Sequence, residues 1–227
     1  MIDKFCEDKL DLSNAQLSDE YYYKSLPLCV IDAVFSVGIR YQTTRNVVIN
    51  FCNKQGIDRL RTHGSAYPLE HLQLSVDDFL KLYKVYGLGA MTDDYFKNKN
   101  RTSSKNGILK SEAVEKFCAV LKHHKVNYFQ DLHSVIGNDK FEQDIKKIPG
   151  QKKGISLSYF YMLAGDDNFI KPDRMILRFV ESCTNSKSDI ALATKLLMDA
   201  HKVLVKSYPK LTPRGLDHEI WKYQRNK

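Results

Sequence analysis

The chain has 227 residues, 43% apolar and 27% charged, and a net charge of +8. This is the length and balance of a folded globular protein, large enough to bury a sizeable core as one domain or two intimate lobes. No run of 18 apolar residues occurs, which excludes a helical membrane span, and the acidic start MIDKFCEDKLDL lacks the basic head and apolar centre of a secretory signal, so a cytoplasmic protein is expected.

In chain order the sequence reads as helices. Residues 1–35 carry three basic and seven acidic side chains. From Leu26 to Cys52 apolar residues recur at helical spacing (Leu28, Ile31, Val34, Phe35, then Val47, Val48, Phe51), with a polar break at Arg40–Arg45 that predicts two helices joined by a turn. Ser75-Val76-Asp77-Asp78 resembles a capping box and predicts a helix to Tyr86, stopped by Gly87 and Gly89. Residues 98–107 (NKNRTSSKNG) predict a loop, and Ile108–Lys122 an amphipathic helix with Leu109, Ala113, Val114, Phe117 and Leu121 on one side. Shorter helices are predicted at Tyr128–Ile136 and Lys140–Ile145, and a long one at Ser188–Tyr208. Thr212-Pro213 opens a last helix, since proline suits the first helical position, with Trp221 expected in the core. No alternating strand pattern or internal repeat is present, so the fold class is all-α.

The basic charge is clustered. Residues 97–125 carry eight Lys/Arg against two Glu, residues 146–178 seven against three Asp, and the last 33 residues eight against three acids. An acidic front and a basic remainder suit a face for a polyanion, although a solvated lysine-rich surface would look the same. The five cysteines are far apart and include no CxxC pair, which predicts reduced, mostly buried thiols and argues against a disulfide frame, a structural zinc or an iron–sulfur cluster.

The most informative segment is Lys146–Val180, KKIPGQKKGISLSYFYMLAGDDNFIKPDRMILRFV. Pro149 and Gly150 break one helix, and Gly154 lets the chain enter the next. A short exposed turn of this kind, Pro149-Gly150-Gln151-Lys152-Lys153-Gly154, presents amide groups and the positive end of a helix dipole to a phosphate, with two lysines adding charge. Such contacts hold a duplex without reading its sequence. About twenty residues on, Asp173 stands at the predicted start of another helix. Taken alone, the turn reads as a helix–helix connection and Asp173 as a helix-start carboxylate.

Together they resemble the helix–hairpin–helix DNA glycosylase superfamily, the endonuclease III-like enzymes. That family shows a Leu-Pro-Gly-x-Gly turn, an apolar helix, and an aspartate with a hydrophobic residue three on and a basic residue five on. Ile148-Pro149-Gly150 matches the turn, Ile155–Leu163 the helix, and Asp173, Ile176 and Arg178 the end. Upstream, Arg40-Tyr41-Gln42-Thr43-Thr44 resembles the glutamine-bearing turn that fills the gap left by an extruded base. The order of elements agrees across roughly residues 26–183.

The resemblance implies a single two-lobed helical domain over 1–227, with the helix–hairpin–helix at 140–165 and the loop and helix of the catalytic aspartate at 166–183. It implies Asp173 as the catalytic residue, and Tyr41, Gln42 and the turn 149–154 as DNA contacts. Tyr159 and Tyr161 are aromatic candidates for the base pocket, while Phe160 reads as core. The partner would be double-stranded DNA with a flipped base, bound by a monomer. No cofactor or metal is implied beyond a monovalent cation at the hairpin.

Three features depart from the pattern. The position of the family's lyase lysine is Gly154 or Ile155 here, which points to a monofunctional enzyme. The second turn glycine is shifted to Gly154. The C-terminal iron–sulfur cysteines are absent, and Leu216–Tyr223 has no counterpart. The chemistry expected is hydrolysis of an N-glycosidic bond, in which a carboxylate stabilises the charge developing on the sugar and orients water. The departures leave room for an unusual target, such as the hypermodified bases of phage DNA, and so for an antiviral role. The alternatives are a non-catalytic helix–hairpin–helix DNA-binding protein and a helical protein-interaction module.

Overall fold

The computed structural model describes residues 1–15, 17, 19–62, 66–165, 167–171 and 173–225; of Asp19 it describes the backbone only. Its regular structure is helical: α1 Ile2–Lys9, α2 Leu26–Phe35, α3 Tyr41–Gln55, α4 Val76–Ala90, α5 Lys110–His123, α6 Asp139–Lys146, α7 Ile155–Leu163, α8 Arg174–Thr184, α9 Ile190–Leu204 and α10 Pro213–Arg225. No strand occurs among the described residues, only the isolated bridges Tyr23↔Leu60 and Arg101↔Leu109. The all-α class is therefore the observed one. No helix is long and apolar enough to cross a membrane.

The chain forms two compact units, Asp19–Ala164 and a second made of Met1–Ser18 with Gly165–Lys227. In the first, α2 is the centre: all ten of its residues are buried, and α3, α5 and α7 pack around it. Its C-terminal carbonyls are capped from another helix. Lys110, 2% exposed at the start of α5, donates from Nζ to Phe35 O (2.8 Å) and Val37 O (2.7 Å), so that the cation meets the negative end of the α2 dipole. Ser75 caps α4 as its sequence predicts, accepting from Asp78 N at 2.9 Å. Gly87 breaks the α-helical run with φ 77° and ψ 162°, a conformation that favours glycine.

In the second unit α8 packs against α9 and α10, and α1 lies on α8 and α9. Its core includes Cys6, Phe179, Val180, Leu197, Leu216 and Ile220. Phe5, Phe179 and Tyr223 meet edge to face at 5.5–6.4 Å, the arrangement that aromatic quadrupoles prefer.

Two expectations are corrected. The polar stretch Arg40–Arg45 is not the break: α3 already begins at Tyr41, and the chain turns at residues 36–40. Within this stretch Gln42 is exposed and Tyr41, Thr43 and Arg45 are half-buried, while Thr44 is buried on the inner side with Val47 and Val48. Trp221 is not in the core. It is half-buried, stacked on His218 (5.9 Å, 15°) with Arg225 over its ring at 5.1 Å, while Leu216 and Ile220 carry the buried side of α10. The five cysteines are free thiols; four are buried and Cys183 is half-buried. Burial pushes the Cys6 and Cys52 thiols up to about 12.

Candidate functional site

In the first unit the segment between α6 and α7 is two consecutive turns. Gln151 N donates to Ile148 O at 2.9 Å, with Pro149 and Gly150 (φ 88°) between them. Proline at the second position and a positive φ at the third make this a type II turn. Gly154 N then donates to Gln151 O at 2.9 Å, which places Lys152 and Lys153 at the exposed tip of a second turn. Gly154, at φ 69°, leads directly into α7.

The interior of this segment is fixed by side chains. Gln151 is 3% exposed, and its Oε1 accepts from the Ser156 hydroxyl. Gly150 faces Thr102 of the preceding loop so closely that a Cβ there would lie 2.4 Å from Thr102 Cβ. The amides of Lys152 and Lys153 make no hydrogen bond among the described residues. Gln151 is thus a buried strut, and Lys152 and Lys153 are the residues with free donors and charge.

Tyr41 and Gln42 lie in the first turn of α3, where the exposed Gln42 donates from Nε2 to Asn46 Oδ1 at 2.8 Å. Tyr159 and Tyr161 are both buried, at 8% and 1% exposure. The two tyrosines diverge. Tyr161 donates to Val135 O at 3.2 Å, inside the packing of α7. Tyr159 joins Tyr41 near a buried pair, Tyr23 donating to Asp32 Oδ2 at 2.7 Å. Burial raises the Tyr23 hydroxyl well above its ordinary value, with Asp32 and Tyr159 adding to it. Phe160 is fully buried against Phe117.

In the second unit Asp173 is the N-cap of α8. Its Oδ1 accepts from Met175 N (2.7 Å) and Ile176 N (3.3 Å), with Asp173 itself in extended backbone. Its side chain remains about a quarter exposed, and Oδ2 stands 4.0 Å from Lys171 Nζ. The amide of Lys171 donates to Asp217 Oδ1 of α10 at 3.0 Å. Arg214, one turn before Asp217, is 2% exposed; its Nη1 lies 3.4 Å from Asp167 Oδ1, and its amide donates to Asp167 O. Three carboxylates, Asp167, Asp173 and Asp217, and two cations, Lys171 and Arg214, thus share one patch at the starts of α8 and α10. Enclosure, and then the charge of Asp173, push the Asp217 carboxyl up to about 8 against the opposing pull of Lys171 and Arg214.

Asp217, Lys171 and Arg214 escape a reading of the sequence. Asp217 lies 46 residues from Lys171 and belongs to an ordinary amphipathic helix, so no local spacing announces it. A separate group, His123, His124 and Asp144, brings three ligand atoms within 4.8 Å of one another. Asp144 accepts there from Lys147 at 2.8 Å and stands 3.0 Å from His124 Nε2, which together hold its carboxyl down to about 2. It is an ion-paired group beside the C-terminus of α5.

The chain belongs to the DUF8548 family. The model of this family, a domain of unknown function, covers residues 1–225. No curated protein and no solved structure matches the chain.

Proposed function

We propose that this protein is a monofunctional DNA glycosylase, which flips a modified base out of double-stranded DNA and hydrolyses its N-glycosidic bond. The observation that carries the reading is the setting of Asp173. Two backbone amides at the start of α8 fix one oxygen of its carboxylate, and a quarter of the side chain stays open to solvent. A fixed, accessible carboxylate stabilises the positive charge that grows on a sugar as its base departs, and it orients and deprotonates the attacking water. The α6–turn–α7 segment supports the same reading. Its tip offers two lysines and their amides to a phosphate, contacts that position a duplex. In this proposal the segment is a helix–hairpin–helix, and Tyr41 and Gln42 contact the strand from which the base is taken. Extruding a base costs a few kcal/mol of stacking, offset by such contacts.

The decisive experiment is Asp173→Asn. Asparagine is as good an N-cap as aspartate, so the variant keeps its fold and loses only the charge. Base release from duplexes carrying alkylated, oxidised, deaminated and phage-type modified bases is followed by mass spectrometry and by alkali cleavage at abasic sites. Wild type is expected to leave abasic sites in at least one duplex, and Asp173→Asn in none. Equal release by both proteins, or release by neither, sinks the reading. Salt-dependent duplex binding without base release would point to a non-catalytic DNA-binding protein.

A further inference from the structure

Hydrolysis at an N-glycosidic bond moves two protons: one leaves the attacking water, and one arrives on the departing base. Asp173 is one carboxylate, and α10 brings a second to the same patch. Asp217 accepts from the amide of Lys171 at 3.0 Å, and the ammonium of that same residue stands 4.0 Å from Asp173 Oδ2. Lys171 therefore ties the two acids together, and Arg214 with Asp167 closes the α10 side.

The two acids live in different surroundings. The pair of amides on Asp173 Oδ1 is complementary to an anion. Asp217 is enclosed beside that anion, and with its carboxyl at about 8 it holds its proton at neutral pH. An enclosed carboxyl that keeps its proton beside a second carboxylate fixed by backbone amides offers an acid next to a base.

Resting on the glycosylase reading, we propose that Asp217 is the general acid that protonates the departing base while Asp173 takes the proton of the attacking water. The water oxygen forms the bond to C1′. The C1′–N bond breaks, and its electron pair leaves with the base. The water proton goes to Asp173 and the Asp217 proton to the base. Transfer of one proton from Asp173 to Asp217 then restores the starting state, and no other reactant is required.

The test exploits leaving-group chemistry. N7-methylguanine is already cationic and leaves without protonation, whereas hypoxanthine is neutral and needs the proton. Asp217→Asn keeps the shape and the acceptor for Lys171 N but has no proton to give. Single-turnover release is measured from duplexes carrying each base. The variant is expected to slow hypoxanthine release by ~100-fold or more, the lower end for general acid catalysis, with N7-methylguanine release little changed. Equal slowing of both bases means a structural role and overturns the proposal, as does an unchanged rate on hypoxanthine. A carboxyl ¹³C NMR titration needs no substrate: an Asp217 resonance, assigned by its loss in Asp217→Asn, that titrates in the ordinary carboxylate range also overturns it. Wild type that releases no base from any modified duplex removes the glycosylase reading itself. Asp173-dependent release that Asp217→Asn leaves intact on hypoxanthine removes only the acid.

Discussion

Gly150→Ala is the substitution whose cost the structure defines best. The new Cβ would lie 2.4 Å from Thr102 Cβ, 2.8 Å from its Oγ1 and 3.2 Å from its Cγ2, at a φ of +88°. Two penalties combine. A left-handed backbone costs a non-glycine residue ~1–2 kcal/mol, and forcing a carbon into a filled space costs ~1–3 kcal/mol. A total of about 2–5 kcal/mol is expected, a large fraction of the ~5–15 kcal/mol that holds a typical domain. In urea, at a slope of ~2 kcal/mol per molar, the midpoint should fall by about 1–2.5 M. Thr102→Ala should not rescue it, because Thr102 Cβ is itself the nearest atom. Thr102→Gly should, and only in part: a double-mutant cycle removes the overlap and leaves the backbone penalty. A Gly150→Ala protein within ~0.5 kcal/mol of wild type, the scatter of a neutral surface change, would refute this account. So would the absence of coupling to Thr102→Gly.

Other outcomes follow from single features. Asp217 ionises far above the ordinary carboxylate value in the folded protein, so the native state binds an extra proton between pH ~4 and ~8 and loses stability as pH rises through that window. At ~1.36 kcal/mol per unit the ceiling is about 6 kcal/mol; Asp217 keeps some exposure to solvent, so Asp217→Asn should stabilise by about 1–3 kcal/mol at pH 8 and hardly at all at pH 4, read by urea unfolding at both. A gain that is the same at both pH values would show that burial does not hold the proton. If the proposed duplex contact holds, Lys152→Ala with Lys153→Ala should weaken duplex binding uniformly across sequences and reduce the slope of log K against log salt by about 2, one for each phosphate that a lysine no longer neutralises; an unchanged slope removes this turn from the proposed contact. Lys110→Ala removes a buried cation from two helix-end carbonyls of α2, and thermal unfolding should show a loss of about 2–4 kcal/mol, the range for stranding buried acceptors and opening a cavity; a change under ~0.5 kcal/mol would mean that water replaces the cap.

Much of the fold is legible in the chain because local chemistry decides it. Ser75 reads as a cap and Pro213 as a start, because each satisfies or withholds a helix-end hydrogen bond within three residues; Gly87 and Gly89, read as stops, instead lie within α4, where Gly87 makes a kink and the helix runs on to Ala90. The Pro149-Gly150 pair predicts its turn for the same reason. The α2–α3 boundary is less legible. Polarity at Arg40–Arg45 marks a solvent-facing side of a helix as readily as a loop, and burial of Thr44 and Val47 decides between them.

For the candidate site the division is sharper. The order of residues is enough for the all-helical class, the turn that exposes Lys152 and Lys153, and Asp173 as the first carboxylate of a helix, because each is a matter of a few adjacent residues. It could not show that Gln151 turns inward, that Gly150 is held by Thr102, or that Tyr159 lies near Tyr23 while Tyr161 donates to Val135 O. Least of all could it show Asp217. A carboxyl keeps its proton at neutral pH when the fold encloses it, here with Asp173 adding to the effect, and that enclosure comes from α10 meeting the segment before α8, 46 residues away in the chain.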